Sequence, residues 1–260
     1  MPRAAEALAA ALAVLPGPVM GFCAQLVHDE IPYTICEAGP GDDLRLFLSD
    51  AEGAPLGSFE RIEEELAAGG LGLGFAMNAG MYHPDRRPVG LYVEEGETQT
   101  RIVTAAGPGN FGMLPNGVFC VQAEGFAVVE SRAFASDPPA CRYATQSGPM
   151  LVIDGALHPR FLPDSDSRLI RNGVGVSPEG DRAYFAIADR PVNFHQFGRL
   201  FRDALETPQA LYFDGNVSRL HVPGLGRSDW GRQMGPVVGV VVPQEDPPRP
   251  DLEARSGEGG

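Results

Sequence analysis

Glycine and proline set the length of every element this chain can form. Its 260 residues include 33 Gly and 24 Pro, so few stretches run far before a residue that turns or interrupts the backbone. Between these breaks lie short apolar runs. Leu44 to Leu48 alternates; the continuous ones are Gly74 to Met77, Val89 to Val93, Val118 to Val121, Phe126 to Val129, Met150 to Ile153, Gly173 to Val176, Ala183 to Ala188, Ala210 to Phe213 and Val237 to Val242. Runs this short, bounded by Gly, Pro, Asn or Asp, read as strands. Two segments have helical period. Ser58 is placed as an N-cap before Phe59 to Leu66, and Gly69-Gly70 stops that segment. After Asn193, the residues Phe194, Phe197, Phe201 and Leu205 share one face until Thr207-Pro208 ends it. Asp154-Gly155 reads as a plain hairpin turn. The sum is a single α+β domain around a mixed or antiparallel sheet with two main helices. There is no regular strand–helix alternation, which argues against a Rossmann fold or a TIM barrel.

Charge narrows the function. The chain carries 34 acidic and 20 basic residues, a net charge of -14, which disfavours nucleic acid and anionic membrane surfaces as partners. Every base is Arg; there is no Lys. That excludes Schiff-base chemistry, a Walker lysine and a Ser-Lys dyad, and leaves Arg, backbone amides or a metal to hold an anion. With 43% hydrophobic residues a core is well supplied. No apolar run inside the body approaches the roughly 20 residues that span a bilayer.

The two ends differ from the body. Arg3, the apolar run Ala7 to Val14 and the small residues up to Ala24 read as a signal peptide over 1–22, implying a periplasmic or secreted protein. The domain is expected over 23–242, followed by an acidic, Pro/Gly-rich disordered tail over 243–260. Four cysteines fit export, and none forms a CxxC pair of the zinc kind. A hairpin turning at Asp29-Glu30 sets Cys23 opposite Cys36, with Pro32 suited to an edge strand, and leaves Cys120 to pair with Cys141.

Polar clusters stand at the ends of the apolar runs: Asn78-Ala-Gly-Met-Tyr82, Gly109-Asn-Phe111, Pro115-Asn-Gly-Val-Phe119, Ala144-Thr-Gln-Ser-Gly-Pro149, Arg171-Asn-Gly-Val-Gly175 and Leu211-Tyr-Phe-Asp-Gly215 with Ser218. Singly, each is a turn. Together and in this order they resemble the phosphodiester glycosidase family, over about Cys23 to Val242. Many members of that family have Asn-Gly-Gly-Phe-Phe where this chain has Asn78-Ala-Gly-Met-Tyr82, and Asp-Gly-Gly-Gly-Ser where it has Asp214-Gly-Asn-Val-Ser218. The chain thus looks like the bacterial branch, whose substrates are not established. The resemblance implies hydrolysis of a glycosyl phosphodiester to a sugar and a phosphomonoester.

That chemistry assigns expected roles. A phosphate leaving group needs cations and N–H donors more than a general acid. Arg171 is the expected phosphate grip, with Asn78, the amides around Gly80, Gln146, Ser147, Asn172, Gly215 and Ser218 completing the cradle. Attack at the sugar carbon needs a carboxylate, and Asp214 is the first candidate, with Asp189 as second choice or partner. The His residues show no H-E-x-x-H pattern, so no metal or other cofactor is signalled. Calcium or magnesium on Asp214 and backbone carbonyls stays open as an alternative. The expected partner is a small molecule or glycan bearing a phosphodiester. The competing reading is an envelope protein that binds a sugar phosphate without cleaving it. The sequence does not address the oligomeric state.

Overall fold

A computed structural model of the chain describes residues 22–244. The expected leader, apart from Phe22, and the expected tail, apart from Pro243 and Gln244, lie outside the described residues. Three sheets form the body. The first has seven strands in the order Cys23–His28, Ile31–Ala38, Ala183–Ala188, Asn172–Val176, Gln209–Asp214, Met150–Ile153 and Ala156–Leu157. The second has five, in the order Arg227–Ser228, Leu220–Val222, Leu71–Asn78, Val237–Pro243 and Asp43–Phe47. The third has five, in the order Glu97–Thr100, Tyr92–Glu94, Tyr143–Ser147, Gly117–Gln122 and Gly125–Glu130. Every pairing within them is antiparallel, so the expected mixed or antiparallel sheet resolves into three antiparallel ones.

The packing explains why most strands show apolar runs, while Asp43–Phe47 keeps the alternation read at Leu44 to Leu48. One face of each sheet meets the others in a shared core that includes Phe185 and Phe213 from the first, Phe75 and Met77 from the second, and Phe119 and Tyr143 from the third. The opposite face of each sheet is covered by a helix. Phe197, with Leu200 and Phe201 beyond it, lies on Leu151, Ala186 and Tyr212; Phe59, Ile62 and Leu66 lie on Leu73, Ala76 and Val237; Phe134 lies on Val118 and Cys120. A strand buried on both faces has no polar side to write into its sequence.

Both expected helices form. Phe59–Ala67 begins at Ser58, whose side chain accepts from the Arg61 N–H. Phe194–Arg199 begins in a capping box between Asn193 and Gln196, then widens into a π-helical turn over Leu200–Ala204. The helix Ser131–Ser136 escapes the sequence reading. It is only 6 residues long, and its cap is Glu130, which accepts from Arg132 and Ala133 N–H. No described helix is long and apolar enough to cross a membrane.

The two expected disulfides are present, Cys23–Cys36 and Cys120–Cys141. The first crosses a hairpin whose turn residues, Asp29 and Glu30, both have positive φ (48° and 60°), as a tight two-residue turn demands. Pro32 is not on an edge, contrary to expectation: its strand lies between Cys23–His28 and Ala183–Ala188. It sits at the end of that ladder: the last paired residues are Ala188 and Tyr33, and the Pro32 carbonyl accepts the Asp189 N–H at 3.0 Å just beyond. Asp154-Gly155 is the plain hairpin turn expected. The disulfides close loops of 13 and 21 residues. By the chain-entropy relation each is worth about 3 kcal/mol. Replacing Cys120 and Cys141 together by Ser is expected to lower the denaturant midpoint in urea unfolding and to raise the slope, because the released unfolded chain exposes more surface.

Candidate active site

The site grows from two strand ends that belong to different sheets. Strand Leu71–Asn78 of the second sheet finishes at Asn78, and strand Asn172–Val176 of the first begins at Asn172. Both side chains are fully buried. The Asn172 amide donates to the Asn78 carbonyl at 2.8 Å and to Asn78 Oδ1 at 3.1 Å. Asn172 Oδ1 accepts the Asp214 N–H at 3.1 Å, and Asn78 Oδ1 accepts the Arg219 N–H at 2.9 Å. Ser218 closes the knot, donating to the Ile170 carbonyl at 2.9 Å. The register between strands 172–176 and 209–214 slips here, so that Gly173 faces Tyr212 but Asn172 faces Asp214. Such a bulge re-aims the side chain beside it.

Asp214 leaves this knot toward a small cleft of about 570 Å³, which it lines with Tyr82, Arg86, Asn110 and Arg232. Its carboxylate is 8% exposed as a residue, and Oδ1 accepts the N–H groups of Gly215 at 2.6 Å and Asn216 at 2.8 Å. Burial raises its pKa, and those backbone donors hold it back. Gly215 is required by space: a Cβ there would lie 2.3 Å from the Tyr212 hydroxyl. Neither Arg86 nor Arg232 has a carboxylate within salt-bridge distance among the described residues. The neighbouring Arg87 takes Asp85 at 2.7 Å, leaving Arg86 without it. The Tyr82 hydroxyl feels the whole group: burial raises its pKa, Asp214 adds to the rise, and Arg86, Arg219 and Arg232 oppose it.

The other expected residues fall elsewhere. Arg171 does not reach the cleft. Its guanidinium is fully buried on the helix side of the first sheet, 3.7 Å over the Phe194 ring, and donates to Val192 O, Tyr212 Oη and Ser167 O at 2.9, 3.2 and 2.9 Å. It sits one residue before Asn172, and side chains of adjacent strand residues point to opposite faces. Gln146 is also committed: Oε1 accepts from Leu91 and Val103 N–H, and Nε2 donates to Val103 O and Ser131 Oγ. Ser147 Oγ donates to the Phe213 carbonyl at 3.0 Å. Gly80 is buried against Thr145 and Gln146. Asp189 accepts from Thr34 Oγ1 at 3.0 Å and pairs with Arg227 at 2.7 Å, in a second cleft across the 214–218 turn. Asn78, Asn172 and Ser218 thus build the site, Asp214 and Gly215 border its clefts, and Gln146, Ser147 and Arg171 brace the walls.

Arg86 and Arg232 escape the sequence reading. For Arg86 a faint signal exists: Pro84-Asp-Arg-Arg87 follows the Asn78 cluster and offers one acid to two arginines. Arg232 precedes the last strand and reaches the site only through tertiary folding. Among the described residues no three His, Cys, Asp or Glu side chains group to hold a metal.

The family model for phosphodiester glycosidases matches residues 72–241, the span that holds the Asn knot, Asp214 and both arginines. The chain belongs to the phosphodiester glycosidase family. A second comparison agrees: the "Uncharacterized protein YigE" of Escherichia coli K12 is 33% identical over 189 residues, 73% of each chain. Among solved structures, the catalytic domain of zebrafish N-acetylglucosamine-1-phosphodiester alpha-N-acetylglucosaminidase, auto-inhibited by its pro-peptide, superposes with a TM-score of 0.56. The match covers 84% of this chain and 81% of that one at 13% identity, so it speaks for the fold.

The raised pKa of Asp214 has a stability consequence. A carboxyl whose folded pKa lies above its unfolded value loses stability for the fold as pH rises through that interval, and the loss is complete above it. Asp214→Asn keeps an oxygen for the Gly215 and Asn216 donors and removes the buried charge. The variant is expected to melt at or above the wild-type temperature at pH 7, and to lose that advantage near pH 3.

Proposed function

We propose that this phosphodiester glycosidase family member hydrolyses a glycosyl phosphodiester at the sugar carbon, releasing a sugar and a phosphomonoester. One observation carries the reading: a buried carboxylate, Asp214, shares a cleft with Arg86 and Arg232, and neither arginine has a carboxylate partner among the described residues. A site built only to hold an anion gains nothing from a carboxylate beside it, since like charges repel at low dielectric. A site built to cleave needs both. The arginines grip the phosphate oxygens, and Asn110 offers a neutral donor. Charge developing on the leaving oxygen as the C–O bond breaks is then met without a general acid.

Asp214 acts on the other side of that bond. As base it takes a proton from water while the water oxygen bonds to the sugar carbon; as nucleophile it bonds to that carbon first and water displaces it. Its raised pKa makes it a better base than an exposed aspartate. The bound Gly215 and Asn216 donors fix one oxygen and leave the other for the reaction. Asp189 has no such freedom, being tied to Arg227 and Thr34. The substrate class is a glycan or small molecule with a phosphodiester. The disulfides fit an oxidising compartment, and we place the protein in the periplasm or outside the cell.

Asp214→Asn is expected to lower kcat by about 10²–10⁴ on a glycosyl phosphodiester, with little change in KM. Arg86→Ala and Arg232→Ala each remove a charge-assisted bond of about 1.5–3 kcal/mol, which means a fall of roughly 10–100-fold in kcat/KM. The acidic limb of the kcat/KM profile should lie above the usual aspartate range, because the active form of Asp214 is ionised and burial raises its pKa. Wild-type turnover in Asp214→Asn would end the assignment.

A further inference from the structure

The larger cleft has no part in the chemistry above. It measures about 1030 Å³ and shares Asn216, Val217 and Arg232 with the Asp214 cleft, so the two adjoin across the 214–218 turn. Trp230 stands on its rim. It is the sole Trp of the chain and is 90% exposed. Its indole offers a flat apolar face beside the arginines of the cleft.

Trp230 is displayed on a braced loop. Asp229 Oδ2 accepts the Leu220 N–H at 3.0 Å and Arg227 Nη2 at 3.0 Å, and the Asp229 N–H donates to Leu220 O at 3.0 Å. On the other side, the Arg219 guanidinium donates to the Arg232 carbonyl and lies under Gly231. Gly231 has φ of 149°, and a Cβ there would come within 2.9 Å of Arg219 Nη2. The backbone that carries the indole is therefore fixed before any ligand arrives, which spares part of the loop-ordering cost of binding.

The cleft is also cationic on an acidic protein. Its lining carries Arg168, Arg219, Arg227 and Arg232 against Asp189 and Asp229. Both aspartates pair with Arg227, at 2.7 and 3.0 Å. Arg168, whose Nη1 donates to Gln196 Oε1 at 2.8 Å, faces no carboxylate within salt-bridge distance among the described residues. On a chain of net charge -14, such a patch focuses anions into one place.

We propose that this cleft is a second binding subsite, taking the next unit of a phosphodiester-linked glycan chain. The Trp230 face packs on a sugar ring, and Arg168 takes the phosphate one repeat away from the scissile bond. The proposal rests on the reading of the Asp214 cleft as the reaction site, and it makes the substrate a polymer rather than a single glycosyl phosphate. Single-stranded nucleic acid also joins phosphates to stacking faces, but it prefers a series of aromatics along a basic groove. Here one indole stands in a field that is acidic beyond the cleft.

The sole Trp is its own reporter. The full chain would be titrated, through Trp emission, with a linear phosphodiester-linked hexose tetramer, with the corresponding methyl hexosyl phosphate, and with a dT oligonucleotide of equal charge. The tetramer is expected to bind at least about tenfold more tightly than the monomer and to shift the emission, which the monomer leaves unchanged. Followed by calorimetry, Trp230→Ala and Arg168→Gln should each bring tetramer affinity to the monomer's value, with Trp230→Phe largely retaining it. Turnover of the methyl hexosyl phosphate should be unchanged in all of these variants. Equal affinities for tetramer and monomer with unmoved emission would overturn the subsite, as would tighter binding of the oligonucleotide than of the tetramer. Trp-dependent tetramer binding without any turnover would uphold the subsite and count against the hydrolytic reading instead.

Discussion

Asn172 reaches from the first sheet into the second and donates to the main chain of Asn78 at 2.8 Å, inside a region closed to water. Buried amides are costly unless every polar atom is paired, at about 1–3 kcal/mol for each group left over. Here the pairing runs through two sheets and two main-chain N–H groups, those of Asp214 and Arg219. The knot therefore fixes more than itself. It sets the angle between strand ends, the slip in register at Asp214, and the start of the turn that separates the two clefts. The geometry proposed for Asp214 follows from a polar cluster built around Asn78 and Asn172, which are buried behind it.

Electrostatics then divides the arginines by environment. Arg171 is buried, caged by Phe194 and Tyr212 and satisfied by oxygens of the protein, so its charge serves the fold. Arg227 is neutralised by Asp189 and Asp229. Arg86, Arg168 and Arg232 hold their charge toward clefts. With no lysine in the chain, each cation is a planar fork, able to meet a phosphate through two parallel bonds. The burial that raises the Asp214 pKa is a cost the fold carries in the ionised state, and it sits where a reaction would use it.

Much of the fold was legible from local chemistry. Ser58 and Asn193 announced helix starts, Asp29-Glu30 the hairpin, and the hairpin the Cys23–Cys36 pairing. The division into three sheets was not legible, because strands buried on both faces show the same apolar runs whichever sheet they join. Helix Ser131–Ser136 is too short to show a period, and its Glu130 cap is of a less favoured type. At the site, the convergence of Asn78, Asn172, Asp214 and Ser218 could be anticipated from their place at strand ends. The roles of Arg171 and Arg86 could not: a polar cluster at a strand end does not reveal which face its arginine takes. Arg171 points away from the cleft because Asn172, its neighbour, points toward the knot.

In the proposed reaction water attacks the sugar carbon, driven by Asp214, while the arginines hold a phosphate that departs intact. Hydrolysis of a glycosyl phosphodiester in water enriched in oxygen-18, with mass analysis of both products after a single turnover, tests this most directly. Attack at the sugar carbon puts one heavy oxygen in the sugar and none in the phosphomonoester. Label in the phosphomonoester would mean attack at phosphorus and would contradict it.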